Sequence, residues 1–244
     1  MNNSRVVWLS PGDAPQSFPD VEDALCEPDG LLAAGGDLNS ERLLYAYARG
    51  IFPWYEEGQP ILWWSPDPRC VLRPAQFHIS RRLQQYLRSS TFTLTCNTAF
   101  AEVIRACAKD RPSQQGTWIT PDIIAAFEQL HIDGWAHSVE VWDKEKLVGG
   151  IYGMSIGKVF FGESMFSRRD NASKFAMFGL CRILQRKDFV LLDCQVLSQH
   201  LTTLGAELMP RSEFTDILRT SCDPAVQFDE WPSKVAPIGD FLPN

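Results

Sequence analysis

The chain has 244 residues, 45% of them hydrophobic and 22% charged, with a formal net charge of -7 at pH 7. That balance fits an ordinary folded protein and excludes a disordered chain, while the acidic excess excludes a protein that coats long nucleic acid by bulk charge. The opening MNNSRVVWLSPGDAPQSF has no apolar run before Pro11, and no stretch approaches the ~20 apolar residues of a membrane span, so a cytoplasmic protein away from membranes is expected.

Seven cysteines, an odd number, are scattered with no two separated by only two residues. Neither a disulfide framework nor a zinc knuckle follows, and no metal is expected. Positive charge gathers in three places within this acidic chain: Arg81, Arg82 and Arg88; Arg105, Lys109 and Arg111; Arg168, Arg169 and Lys174. Solvated helix surface is one reading of each group; pooled on one face they would make a short polyanion footprint.

Taken in order, residues 1 to about 75 read as a small N-terminal lobe with little regular strand. Asn39 is placed to cap a helix running to Arg49, with Leu43, Leu44 and Tyr47 on its apolar side and Gly50 as its stop. The segment IFPWYEEGQPILWWSPDPR carries Pro53, Pro60, Pro66 and Pro68, so it is a shaped loop whose tryptophans either seal the lobe or line a cleft. From 76 onward the texture changes. Ile79, Leu83 and Leu87 repeat every four residues, predicting a helix, and TFTLTC at 91–96 alternates as a strand. Asn97 is expected to cap a helix carrying Phe100, Val103, Ile104 and Cys107, and Thr120-Pro121 starts another that ends at Gly134. Three strands follow, AHSVEVW, LVGGIYGMSI and KVFFGES, joined by short turns and therefore antiparallel. Asn171 is expected to cap a helix over 172 to about 187, DFVLLDC reads as a buried strand, and a short strand near 206–209 precedes a helix through Phe214, Ile217 and Leu218.

This order predicts an α/β (α+β) fold with a mixed sheet, and it resembles that of the GCN5-related N-acetyltransferases, whose sheet opens to hold an acyl donor and an amine acceptor. In that fold a Gly-rich turn before the main helix cradles a pyrophosphate. The equivalent stretch here, SRRDNASKF, has no glycine. Coenzyme A is therefore disfavoured as the acyl carrier.

Asp193 and Gln195 are the first candidates for chemistry. Residues two apart on a strand point the same way, so both can face one cavity while Cys194 faces the core. A carboxylate inside VLLDCQV is costly unless paired, and backbone N–H groups at a strand end are an alternative partner to a substrate. Glu163 closes an apolar run beside Gly162, as a surface carboxylate or as a receptor for a cationic amine. Met177, Leu180 and Leu184 share a helix face that Ile151 and Phe160 can meet from strands, a pattern shown by any helix packed on a sheet. No Ser sits in a GxSxG elbow and the four His are widely spread, so no activated nucleophile is expected.

The words PDGLLAAGGDL, YARGIFPWY, ILWWSPDPR, GTWIT, FFGESMFSR, NASK and DCQV, in this order over about 25–220, resemble the leucyl/phenylalanyl-tRNA-protein transferase family. The resemblance implies an N-terminal lobe, 1–75, on an acetyltransferase-like domain, 76–244, with a Pro-rich tail. It implies transfer of Leu or Phe, with Met as a further donor, from aminoacyl-tRNA to the α-amine of an N-terminal Arg or Lys, marking the product for degradation in bacteria. Asp193 and Gln195 would form a hydrogen-bonded unit at the reacting centre, and Glu163 would contact substrate amino groups. Ile151, Phe160, Met177, Leu180 and Leu184 would receive the Leu or Phe side chain. Trp118 would stack on the terminal adenine, with Tyr47 and Trp54 walling the cleft, and Arg81, Arg82, Arg88, Arg168, Arg169 and Lys174 would contact phosphates. No cofactor is implied, and a monomer is the simplest expectation.

Overall fold

The computed structural model describes residues 5–109, 117–223, 227, 231 and 232. Within them the N-terminal part builds a four-stranded sheet from β1 (Val7–Leu9), β2 (Leu31–Gly35), β3 (Phe52–Pro53) and β4 (Leu62–Trp64), in the order β1-β2-β4-β3. These strands escape a sequence reading because each has only two to five residues among Pro and Gly, too few to display alternation. α1 (Ser40–Tyr47) runs where expected, and Asn39 caps it by accepting from the Arg42 N–H at 2.8 Å. Trp63 is fully buried and donates to Gly35 O at 2.9 Å, so it seals the core, whereas Trp54 is 44% exposed.

The larger sheet has seven strands in the order β11-β5-β10-β9-β8-β7-β6. β6 (Thr93–Cys96), β7 (Ala136–Asp143), β8 (Lys146–Ile156) and β9 (Val159–Ser167) are an antiparallel run, as the short turns predict. β10 (Leu191–Gln195) then pairs parallel to β9 and antiparallel to β5 (Arg69–Leu72), which in turn pairs with β11 (Glu207–Met209). β5 was not expected as a strand, and it lies on the N-terminal side of residue 75 yet inside the larger sheet. The result is the expected mixed α/β architecture.

α2 (Arg81–Ser89) and α5 (Ala172–Arg186) contribute to the hydrophobic cluster on one face of this sheet. α3 (Phe100–Ala108) and α4 (Pro121–Ile132) contribute to the other, which is continuous with the N-terminal part through Leu43, Tyr47 and Trp63. α6 (Gln199–Thr203) and α7 (Arg211–Ser221) complete the described helices. The glycines of LVGGIYG permit the close layers: a Cβ on Gly149 would stand 2.6 Å from that of Ala172 at the start of α5. Thr120 caps α4 through Ile123 N–H, as expected. Two expected caps are corrected. Asn97 and Asn171 both take left-handed backbone, with φ of 57° and 62°, and neither caps the following helix by its side chain. Asn97 instead bonds Ser138 N–H and His137, tying two strands together.

Candidate active site

β9 and β10 pair over only three residues, ending at Asp193 opposite Phe161, although β9 continues to Ser167. The two parallel strands therefore fork. Glu163 lies just past that last pair on β9, in mid-strand and not at the strand end expected from FFGES. Gln195 lies on the other arm. A register irregularity in the β10–β5 pairing falls between Asp193 and Gln195, and Gln195 has φ 62°. Simple alternation therefore does not aim these two side chains.

Asp193 is fully buried at the base of the fork and is held by a bidentate pair with Arg69, Nε to Oδ1 at 2.8 Å and Nη2 to Oδ2 at 2.7 Å. The hydrogen-bonded unit with Gln195 exists, but through the backbone: Gln195 N–H donates to Asp193 Oδ1 at 2.9 Å. Arg69 Nη1 also donates to Gly50 O at 3.0 Å, and the guanidinium is sandwiched near the Phe52 and Phe214 rings, 4.6 and 4.8 Å from their centroids. Gly50 needs its φ of 78° to present that carbonyl. Arg69 is the residue that sequence reasoning missed. The only signal was the requirement that a carboxylate in VLLDCQV be paired.

The Gln195 side chain donates from Nε2 to Glu163 Oε1 at 2.9 Å, and the Tyr47 hydroxyl donates to the same oxygen at 2.7 Å. Glu163 Oε2 is buried without a hydrogen-bond partner among the described residues. Burial pushes the Glu163 carboxyl up to about 8; the Asp193 charge adds to the rise, and bonds from Tyr47 and Gln195 and the charge of Arg69 oppose it. Burial and Glu163 together raise Tyr47 well above the usual phenol value, so it stays a donor. Tyr47, expected on the cleft wall, is wholly buried and reaches Glu163 from beneath, edge-on to Phe127 and Phe161. Cys194 is pushed well above the usual thiol value, first by a hydrogen bond with Cys70 and then by burial, which argues against a thiolate there.

The other expected site residues fall into two sets. Ile151, Phe160, Met177, Leu180 and Leu184 come together, all within the cluster on the α5 face and 3% exposed or less. Trp54 and Trp118 sit on loops joined by the Tyr55 hydroxyl to Thr120 Oγ1 contact of 3.2 Å; Trp54 leans on Trp64 at 5.7 Å, and Trp118 is half-buried. Of the basic groups, the first and third approach one another, since Tyr86 of α2 packs edge-on against Phe175, next to Lys174. Arg81, Arg82, Arg88, Arg168 and Arg169 are exposed, although Arg169 pairs with Asp143 at 3.4 Å and Arg168 donates to Leu147 O. The second group stands on the opposite face, where Arg105 pairs with Glu128 at 2.6 Å, and Arg111 lies outside the described residues.

A fork between parallel strands with an acidic, partly unsatisfied polar chain across it can accept an amine. Among known proteins, the family model for leucyl/phenylalanyl-tRNA protein transferase matches residues 71–219, and that for its N-terminal domain matches 36–67. Proteins named leucyl/phenylalanyl-tRNA--protein transferase are 56% identical in Cellvibrio japonicus, covering 87% of this chain and 90% of that one. The identity is 54% in Pseudomonas aeruginosa strain LESB58, over 88% of this chain and 94% of that one. The chain belongs to the leucyl/phenylalanyl-tRNA protein transferase family and is thereby an aminoacyltransferase. Among solved structures, L-PGS from Bacillus licheniformis aligns with a TM-score of 0.39 at 11% identity, over 68% of this chain and 55% of that one. A GCN5-related N-acetyltransferase-like protein from Streptococcus suis aligns with a TM-score of 0.32 at 13% identity, over 67% and 61%.

Proposed function

We propose that this aminoacyltransferase moves Leu or Phe, with Met as a further donor, from the 3' end of aminoacyl-tRNA to the α-amine of an N-terminal Arg or Lys. It acts as a cytoplasmic monomer in which a small N-terminal lobe, 1–75 apart from β5, packs on an acetyltransferase-like catalytic domain, 76–244, whose sheet β5 joins. The observation that carries this reading is the chain Arg69–Asp193–Gln195–Glu163–Tyr47 laid across the fork. Within it Glu163 keeps one buried oxygen without a partner, an acidic group suited to a substrate amino group. The donor is an ester already activated by its ribose leaving group, and the α-amine, with an ordinary value of about 7.7 to 8.0, is partly neutral at pH 7. Alignment of the two in a site closed to water supplies much of the rate.

In this reading Gln195 positions the attacking amine, and Asp193, clamped by Arg69, fixes Gln195 through its backbone N–H. The cluster of Ile151, Phe160, Met177, Leu180 and Leu184 receives the Leu or Phe side chain and discriminates by ~1–3 kcal/mol per methylene. Trp118 stacks on the terminal adenine beside Trp54, so Trp118→Ala is expected to weaken charged-tRNA binding by ~1–3 kcal/mol in a filter-binding titration. Arg81, Arg82, Arg88, Arg168, Arg169 and Lys174 hold phosphates, which set position more than sequence.

The test is transfer of radiolabelled Leu or Phe from charged tRNA to peptides that differ only in their first residue, with acetyl-coenzyme A as a parallel donor. Label is expected on peptides beginning with Arg or Lys and only from charged tRNA. Equal labelling of a peptide beginning with Glu would remove the acceptor assignment, and acetylation would remove the donor.

A further inference from the structure

We propose that Glu163 is the proton acceptor of the transfer reaction, taking the proton from the acceptor amine at Oε2 and passing it to the leaving ribose oxygen. This rests on the function proposed above. Three groups stand at the fork, and their hydrogen bonds separate their roles. Asp193 is saturated: Oδ1 accepts from Arg69 Nε and Gln195 N–H, and Oδ2 accepts from Arg69 Nη2. A carboxylate that gives both oxygens to a buried guanidinium, and one of them also to its own strand, is committed to holding that pair in place. Gln195 is an amide, which orients an amine but does not hold its proton. Glu163 has one oxygen engaged by Tyr47 and Gln195, and the other buried and unpartnered. A buried polar atom left unsatisfied is costly, and in a site it marks the place where a substrate group completes the set.

The step balances. The neutral α-amine attacks the ester carbonyl; as the C–N bond forms, the carbonyl π pair moves to oxygen and an N–H proton moves to Glu163 Oε2. When the tetrahedral adduct collapses, the bond from carbon to the ribose oxygen breaks and that oxygen takes the proton from Glu163. The carboxylate is regenerated and no proton is gained or lost overall. The groups that face Glu163 are Tyr47 from α1, Tyr152 from β8, Arg69 from β5 and Asp193 from β10. Their balance, dominated by burial, leaves a carboxyl near 8, close to the value that best serves a base at neutral pH.

The experiment measures kcat at saturating acceptor from pH 6 to 9.5, with two Arg-initiated peptides whose α-amines differ in basicity. For the unaltered enzyme, one rising limb with a midpoint near 8 is expected to be common to both peptides, while any limb due to the amine moves with the peptide. Glu163→Gln is expected to lose the common limb and to lower kcat by about 10² to 10⁴-fold, the usual contribution of a general base. Tyr47→Phe removes a bond that favours the carboxylate, so it is expected to move the common limb upward; it leaves Glu163 in place and serves if Glu163→Gln does not fold. A limb that follows only the peptide amine, that persists in Glu163→Gln, or that does not move in Tyr47→Phe overturns the assignment. Absence of any transfer by the unaltered enzyme overturns the proposed function itself and this step with it.

Discussion

Asp193 and Glu163 are two acidic residues at one fork, and they differ in how completely the fold satisfies them. Asp193 spends both oxygens on Arg69 and on its own strand. Glu163 spends one oxygen and keeps the other without a partner. A carboxylate bound at both oxygens fixes geometry, and one with an unpartnered oxygen has room for a further donor; the same residue chemistry is fully engaged on one arm and half engaged on the other.

The largest effect is expected from breaking the saturated member. Arg69→Ala or Asp193→Ala leaves an unpaired charge in the interior and is expected to cost about 3–5 kcal/mol in urea unfolding, so loss of turnover in either comes with loss of stability. Replacing both, Arg69→Met with Asp193→Leu, is expected to recover most of that stability and none of the activity. A single change that left the unfolding midpoint unmoved would deny the pair its structural role.

The next effect tests the unsaturated member through pH. The Glu163 carboxyl stands near 8 in the folded protein against an ordinary 4.5, so the native state binds that proton more tightly than the unfolded state. Its contribution to stability is complete below about 4.5 and is lost as pH rises through about 8. Urea midpoints are expected to fall across that window, and less steeply in Glu163→Gln. An equal fall in both proteins would place the titrating group elsewhere. The smallest effect is that of Tyr47→Phe, which removes one hydrogen bond to a carboxyl and is expected to cost about 1 kcal/mol by the same measurement.

Much of the larger sheet was legible because its strands are long enough to alternate and its turns are short. The N-terminal strands were not, because Pro and Gly interrupt them within a few residues. Asn97 and Asn171 show a subtler limit. Both were expected to cap the helix that follows, yet each takes left-handed backbone before it and neither side chain bonds the helix's first N–H groups. Glu163, Gln195 and Asp193 were visible as chemistry-bearing residues in apolar surroundings. Arg69 was not, because a partner 124 residues away can be named only once β5 is known to lie against β10.

By itself the sequence determined the class of fold and the family, and it singled out the acidic and amide residues that meet at the fork, since these reside in local periodicity and in contiguous words. Tertiary structure alone decided which carboxylate is spent and which is available. That division depends on where β9 and β10 part, on the irregularity that turns Gln195, and on the guanidinium brought beneath Asp193 by β5. Hydrogen-bond saturation is a property of neighbours in space, and chain order does not specify it.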